Sequence, residues 1–488
     1  MNLRQGTRSI GRALWWCVWP AALVLAGCTV GPEYAPPKME MPQTWHSPLE
    51  DGLGPGPADA QTLASWWTTL DDPVLSGLIE RAVAGNLDVR TALSRIRQAR
   101  AQRKIVAGGR LPSVNGSASA TSSRTDTSAG FDTHGEAYSA NLSAAWNLDL
   151  FGGVRRALEA ATDDLGASQE DYYNALVALT AETALNYVEV RTYQARLAAA
   201  EASLQIQQES CALTQWRSEA GLDDELAVYQ AQYNLESTRA QIPTLRTGVQ
   251  EAMNRMAVLL GQQPGELQQL LEKPQPIPVP PAEVAVGVPA EVLRRRPDVR
   301  RAERDLAAQT ARVGVATADL YPRLTLNGSI GIETASLRNP SSSRTWTTSG
   351  GPGISWAVFD PTIRPNIDVQ SELQEQALIQ YKAAILSSLE QVENAIIAYG
   401  QEQQRRDNLR RATAAAQAAA ELARNKYQAG LTDFATVLDA ERSLVSLQDQ
   451  LHQSDGTVTA NVIRLYQALG GGWTSLADAP TPEPAKQS

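Results

Sequence analysis

The sequence predicts an α+β membrane protein built from two copies of one structural repeat, each holding a helix, two alternating strands and a pair of very long helices. Three observations predict it. Asp88-Val89-Arg90, Pro112 and Trp146 recur 210 positions later as Asp298-Val299-Arg300, Pro322 and Trp356, and Ala220-Gly221-Leu222, Leu235 and Gly261 recur 209 positions later as Ala429-Gly430-Leu431, Leu444 and Gly470. A single-residue slip over that distance points to tandem duplication. Four segments alternate apolar and polar residues with period two, and long proline-free segments carry apolar residues in a four-three repeat.

At the amino end, Arg4, Arg8 and Arg12 precede an apolar run from Ala13 to Gly27. The run is too short to span a bilayer as a helix, so residues 1–27 read as a secretory signal. It closes on Leu25-Ala26-Gly27-Cys28, the box after which bacterial lipoproteins are cut. Cys28 is therefore expected to begin the mature chain, carrying thioether-linked diacylglycerol and an N-acyl group, and Thr29 after it favours export to the outer membrane of Gram-negative cells. Residues 28–62, rich in Pro and Gly, read as an extended strap from that anchor.

The first repeat is expected over residues 63–273. In its β-hairpin, 111–150, Tyr138, Ala140, Leu142, Ala144, Trp146, Leu148 and Leu150 alternate with Ser139, Asn141, Ser143, Ala145, Asn147 and Asp149. One face is apolar and the other polar. The partner strand, near Leu111–Ser123, alternates Val114, Ala118 and Ala120 with small polar residues. In the second repeat, 290–470, the hairpin 322–360 repeats the pattern: Leu324, Leu326, Ile330 and Ile332 alternate with Thr325, Asn327, Ser329 and Gly331, and Ile354, Trp356 and Val358 with Ser355 and Ala357. The Ser/Thr/Gly/Asp-rich stretches 121–136 and 333–346 suit exposed loops.

Such strands suit a membrane barrel with an apolar exterior and a polar interior. Four strands cannot close around a lumen, and an open edge in hydrocarbon leaves unpaired N–H and C=O groups costing several kcal/mol each. Several chains must then share one barrel, and three would supply twelve strands. The alternative is four edge-protected strands in a periplasmic β-domain.

From Arg155 to about Ser218 there is no proline, and Tyr172, Leu176, Leu179, Thr183, Val190, Tyr193, Leu197, Leu204 and Cys211 keep a four-three spacing. About 64 helical residues would extend roughly 95 Å, deeper than any ordinary domain. In the second repeat Ile385, Leu389, Val392, Ile396 and Tyr399 keep the same spacing, ahead of an alanine-rich run at 412–420. Sustained heptads imply coiled-coil packing. Each long helix ends at Ala-Gly-Leu, where glycine suits a left-handed C-cap, and a returning helix follows. The helical hairpins therefore span 155–260 and 364–469, with tips pointing away from the strands. A proline-rich connector, 274–289, joins the repeats, and residues 471–488 read as a disordered tail.

Removing residues 1–27 takes away three of 43 basic residues and none of 53 acids, moving the net charge from −10 to −13. That balance argues against nucleic acid as a partner and suits an acidic, water-filled lumen. Cys17 leaves with the signal and Cys28 is acylated, so Cys211 stands alone and no intramolecular disulfide is possible. His46, His134 and His452 form no metal or nucleophile motif, which argues against an enzyme or a cofactor other than the covalent lipid. Met39, Met41, Met253 and Met256 do not line a path for a heavy metal.

Leu25-Ala-Gly-Cys28, Trp66-Trp67, Asn86-Leu87-Asp88, Trp146-Asn147-Leu148-Asp149-Leu150-Phe151-Gly152, Leu293-Arg-Arg-Arg-Pro297-Asp298, and Tyr427-Gln-Ala-Gly430 through Val437-Leu-Asp439-Ala-Glu441-Arg442-Ser443-Leu444 together resemble the outer-membrane factors of tripartite efflux pumps, in the acylated TolC/OprM-like, NodT-type branch. The resemblance covers Cys28 to about Gly472. It implies a homotrimer with a twelve-stranded outer-membrane barrel continuous with an α-helical periplasmic tunnel, docked to a periplasmic adaptor protein and an inner-membrane transporter of the resistance-nodulation-division type. Carried over by motif, the periplasmic gate would be Tyr427, Asp439 and Arg442. Their first-repeat equivalents are Ser218, Gln230 and Tyr233, so the shared scaffold does not require the charges. The tips Gly221, Leu222, Gly430 and Leu431 are where an adaptor could arrive. The chain departs from the family after the fourth strand, where Phe359-Asp360-Pro361-Thr362-Ile363-Arg364-Pro365 replaces the usual paired glycines that the first repeat keeps as Gly152-Gly153. Other readings are a lipid-anchored periplasmic coiled-coil scaffold and a type I secretion exit duct of the same fold.

Overall fold

The computed structural model describes residues 29–473 except 40, 51, 57–58, 127–131 and 336–343. The expected signal, the acylation site Cys28 and residues 474–488 of the expected tail lie outside the described residues. The chain divides into two compact units.

The first unit comprises residues up to 38, 95–168 and 301–382 and holds the sheet. Strands β1 (Ser113–Asp126), β2 (Asp132–Leu148), β3 (Arg323–Thr334) and β4 (Thr345–Ser355) pair antiparallel in the order β1-β2-β3-β4. The pairing is continuous: Ser143 faces Asn115 on one side and Ser329 on the other, while Leu142 faces Gly116 and Ile330. Since side chains alternate along a strand, this register gathers Ser/Asn/Thr on one face and Ala/Leu/Ile/Trp on the other across all four strands. Hydroxyls of Ser119 and Ser139 lie 2.8 Å apart, as do those of Ser329 and Ser349. The apolar face is uncovered by described residues of this chain, with Leu142, Ile330, Trp346 and Ile354 all exposed.

Each hairpin leads into a helix by a different corner. After β2, Asp149 accepts hydrogen bonds from Val154 N (3.1 Å) and Arg155 N (2.9 Å), which starts the long helix at Gly153. Gly152 there has φ +82°, and a Cβ on it would lie 2.8 Å from Thr29 Cγ2, so glycine is required by both backbone and neighbour. After β4, Asp360 accepts from Thr362 N (2.9 Å) and Oγ1 (2.7 Å), and the helix starts at Ile363. Pro365 falls in its first turn, where an N–H has no intrahelical partner to lose. Asp360 thus braces the residue before the helix at this corner, where Asp149 and Gly152 shape the other.

The second unit comprises 39–94, 169–300 and 383–473. Helix α1 (Pro73–Gly85) is capped by Asp72, which accepts from Val74 N and Leu75 N, and α2 (Leu87–Gly108) by Asn86, which accepts from Asp88 N and Val89 N. Helix α3 runs Gly153–Glu219 and returns as α4 (Glu225–Leu259). After α5 (Pro297–Ala318), α6 (Ile363–Gln428) returns as α7 (Phe434–Ala468). The core joins Trp66, stacked on Tyr466 at 5.4 Å, with Leu75, Ile79, Tyr187, Met256, Val392, Tyr399 and Val462. Met253 and Met256 sit inside it. Among the described residues no helix is long and apolar enough to cross a membrane.

The extended segment after residue 29 is held at intervals. Arg156 Nε donates to Val30 O at 3.2 Å, and Tyr34 OH to Glu303 at 3.1 Å. Further on, Trp45 Nε1 donates to Gly287 O at 2.8 Å, and His46 N and Ser47 N donate to the two oxygens of Glu393 at 2.7 and 3.0 Å. Leu53–Gly54 adds a short parallel pairing with Val284–Ala285.

Candidate functional site at the hairpin tips

Both helical hairpins turn by the same device. Gly221 and Gly430 have φ +72° and +73°. Leu222 N donates to Arg217 O and Leu431 N to Lys426 O, each at 2.8 Å, which closes the last turn of α3 and α6. Asp224 then accepts from Ala227 N, and Asp433 from Thr436 N, at 3.0 Å each, opening the returning helices. Nothing lies within 4 Å of a Cβ built on either glycine, and Leu222 and Leu431 are exposed. The tips present backbone turns and one leucine each to solvent.

One turn back, the hairpins are latched together. Tyr427, buried at the end of α6, donates its hydroxyl to Asp223 Oδ2 in the other hairpin's turn and lies 3.3 Å from Thr214 Oγ1 on α3. Arg217 completes the group: its Nε donates to Asp223 at 2.8 Å, Nη1 donates to Tyr427 O at 3.3 Å, and its guanidinium lies 4.6 Å over the Tyr427 ring. Burial opposes ionisation of Asp223, but the hydrogen bonds from Arg217 and Tyr427 outweigh it and hold the carboxyl below its ordinary range. Burial, then the facing Asp223 carboxylate, push the Tyr427 hydroxyl up.

Asp439 and Arg442 lie elsewhere on the same returning helix. Asp439 is exposed and has no hydrogen bond or ion pair among the described residues of this chain. Arg442 Nε reaches Asn234 Oδ1 on α4 at 3.3 Å, and its guanidinium sits 5.1 Å over the Tyr233 ring. Of the three motif residues, the structure thus places Tyr427 and Arg442 on contacts between hairpins, at separate places, and leaves Asp439 exposed.

Residues 78–262 and 288–471 each match the family described as outer membrane efflux protein. The chain belongs to that family. Among curated relatives, this outer membrane efflux protein is 33% identical over 465 residues to nodulation protein T of Rhizobium leguminosarum bv. trifolii, covering 94% of this chain and 97% of the relative. It is 30% identical over 457 residues to the cation efflux system protein CusC of Escherichia coli O6:H1, covering 93% and 97%. Among solved structures, the outer-membrane channel OprN superposes with a TM-score of 0.84 at 38% identity, covering 91% of this chain and 100% of that one. The efflux protein therefore has an outer-membrane channel fold.

Sequence reasoning missed two parts of this efflux protein's tip region. Asp223 and Asp224 stand side by side after Ala220-Gly221-Leu222, before the returning helix, and the structure divides them between latch and cap. The signal was present in the repeat: Asp224 corresponds to the cap Asp433, whereas Asp223 corresponds to Thr432, so the cap does not call for it. The other omission is Glu441, buried on α7, which accepts from Ser210 Oγ on α3 at 3.0 Å and from Arg424 Nη2 on α6 at 3.3 Å. Burial pushes its carboxyl up despite the hydrogen bonds and charge that favour ionisation. Cys211 is partly buried against the cluster of Ala227, Ala231, Ala423, Tyr427, Phe434, Val437 and Leu438, and burial pushes its thiol up, as for a small apolar filler. Among the described residues, no group of three or more His, Cys, Asp or Glu is placed to hold a metal ion.

Proposed function

We propose that this protein is the outer-membrane exit duct of a tripartite efflux system, not an enzyme. Three copies close one twelve-stranded barrel, anchored in addition by lipid on Cys28, and the helical hairpins continue the conduit into the periplasm. There the tips Gly221-Leu222 and Gly430-Leu431 receive an adaptor protein that links the duct to an inner-membrane resistance-nodulation-division transporter. Tyr427, Asp439 and Arg442, joined by Asp223 and Arg217, restrict the periplasmic end. Three copies of Asp439 facing one axis would repel each other and attract cations.

The observation that carries this reading is the four-stranded sheet with one bare apolar face, one hydroxyl- and amide-lined face and two outer strands that each have a single neighbour. A soluble domain would cover the first face, and a lipid-facing wall requires it bare. Trp346 lies on that face, and Trp356 follows β4 by one residue, ten residues on, about 33 Å at strand rise. On a tilted barrel strand they suit the two aromatic edges of an apolar band roughly 25 Å tall. Membership of the efflux family supports the transport assignment, and the equal registers of the two hairpins support origin by tandem duplication.

The test is electrophysiological and biochemical. Outer-membrane fractions should yield heat-modifiable trimers that conduct in planar bilayers. Replacing Asp439 and Arg442 together by alanine should raise single-channel conductance or admit a large antibiotic such as vancomycin. Single subunits in mild detergent, or full solubility without any, would overturn the duct. Trimers whose conductance and antibiotic exclusion ignore the double substitution would remove Asp439 and Arg442 from the gate.

A further inference from the structure

Helix α2 ends in a charge pattern that the second repeat lacks. Residues 95–110 hold six basic residues, Arg95, Arg97, Arg100, Arg103, Lys104 and Arg110, and no acid, in a chain whose net charge is −10. The equivalent stretch 210 positions on, 305–320, holds only Arg312 against Asp305 and Asp319, so the shared scaffold does not require the charges. On α5 the arginines are neutralised within the chain: Arg304 pairs with Asp163 at 3.4 Å and Arg312 with Asp164 at 2.7 Å. On α2, Arg103 Nε donates to the Thr162 hydroxyl at 2.9 Å. Arg95, Arg97, Arg100, Lys104 and Arg110 are exposed and have no ion pair among the described residues of this chain. Arg97, Arg100 and Lys104, at i, i+3 and i+7, share one helix face, beside the half-buried face of Ile96, Ala99 and Val106.

The extended segment after residue 29 tells which way that face points and at what height. It crosses α5 at Gly314, where a Cβ on Gly31 would lie 2.4 Å from Gly314 Cα. Gly314 is the second-repeat equivalent of Lys104. Cys28, the expected lipid attachment site, precedes Gly31 by three residues and so lies within about 11 Å of it. A lipid chain in the bilayer must lie outside the barrel. The side of the helical layer that this segment crosses is therefore the outer one, and Lys104 stands on it near the surface of the periplasmic leaflet. Trp146 agrees with that height: at the foot of the sheet its Nε1 donates to Arg110 O at 2.9 Å, a position suited to an aromatic belt.

From this placement we infer that Arg97, Arg100, Lys104 and Arg110 form a binding surface for anionic phospholipid headgroups of the periplasmic leaflet, holding the phosphate of phosphatidylglycerol or cardiolipin. The inference rests on the shared-barrel reading and on the lipid at Cys28. Arg97 to Lys104 covers about 10 Å of helix, close to the Debye length of roughly 8 Å at physiological salt, so the whole stripe feels a charged leaflet. Guanidinium groups match phosphate oxygens with paired donors. Above the stripe, Leu111 and Val114 are exposed and apolar. Charge below and hydrocarbon above is the order of a phospholipid's headgroup and acyl chains, and a soluble polyanion would make no use of the upper part.

The test is native mass spectrometry of the full-length lipidated protein released from mixed micelles with equal amounts of phosphatidylglycerol and phosphatidylcholine. A basic residue beside an anionic surface contributes about fivefold in affinity, so wild-type trimers should retain phosphatidylglycerol at least tenfold over phosphatidylcholine. Arg97→Gln with Arg100→Gln and Lys104→Gln should lose that preference while keeping trimers and conductance, and Lys104→Arg should keep it. Equal retention of the two lipids by wild-type trimers, or an undiminished preference in the triple variant, would overturn the lipid surface and leave the duct. A triple variant without trimers, where the wild type forms them, would assign the stripe to packing between subunits and overturn the lipid surface as well. Absence of wild-type trimers would overturn the duct itself.

Discussion

Among the contacts of Tyr427 with the other hairpin, those made by its hydroxyl can be separated from packing by removing one oxygen. Tyr427→Phe keeps the contact with Phe434, 5.5 Å between ring centroids, and the cation above the ring, but deletes the bonds to Asp223 and Thr214. Hydrogen bonds to charged groups contribute about 1.5–3 kcal/mol, and the variant should lose stability in that range and leak larger solutes. Wild-type exclusion of vancomycin in cells carrying Tyr427→Phe would show the latch to be structural only. The two tip carboxyls should respond to pH with opposite signs. Asp223 is depressed in the fold, so its stabilisation is present above the ordinary carboxylate range and is lost only as pH falls through the lowered value. Glu441 is raised, so its stabilisation is present in acid and is lost as pH rises through the raised value. Glu441→Gln should therefore gain in Tm relative to wild type as pH rises, and a difference constant with pH would refute the assignment. In the sequence, Tyr427, Asp439 and Arg442 were legible as a motif, but their partners were not. Asp223 was hidden beside a genuine cap residue, and Glu441 carried a charge at a position whose burial depends on Ser210, 231 residues away.

At the scale of elements, the glycine turns separate backbone demands from surface chemistry. A Cβ at Gly221 or Gly430 meets nothing, so replacing either by valine costs only the strain of a β-branched residue at positive φ, about 1–3 kcal/mol. The tip should distort while the rest of each hairpin stays intact. Gly221→Val with Gly430→Val should therefore leave trimers heat-modifiable yet abolish efflux, measured by minimum inhibitory concentration. Unimpaired efflux would place adaptor docking elsewhere. Turns of this kind were readable in advance because Ala-Gly-Leu recurs, followed by Asp223-Asp224 in one repeat and Thr432-Asp433 in the other, and each returning helix begins at its aspartate cap. The second strand-to-helix corner was not readable. Asp360 caps through Thr362, where the first repeat relies on Asp149 and Gly152, so equivalent corners are built from non-equivalent positions and the period of 210 breaks there.

For the molecule as a whole, the two faces of the sheet make a test that depends on one step along a strand. Leu142 and Ser143 are neighbours on β2, and the alternation of side chains points them to opposite faces. If the apolar face meets lipid, an arginine at 142 places a charge in hydrocarbon at about 2–4 kcal/mol near the bilayer midplane, and a threefold assembly incurs it three times. The same arginine at 143 would stand among Asn115, Ser329 and Ser349 in water. Leu142→Arg should consequently deplete outer-membrane trimers, whereas Ser143→Arg should assemble normally and reduce both conductance and cation preference in planar bilayers. The pair Ile330→Arg and Ser329→Arg, on β3, should repeat the contrast. If the face stayed in water, with Leu142 and Ile330 as exposed as in the single chain, a charge at either position would cost little. Equal tolerance of arginine on both faces would therefore favour the periplasmic scaffold, and loss of assembly from the apolar face alone favours the membrane wall.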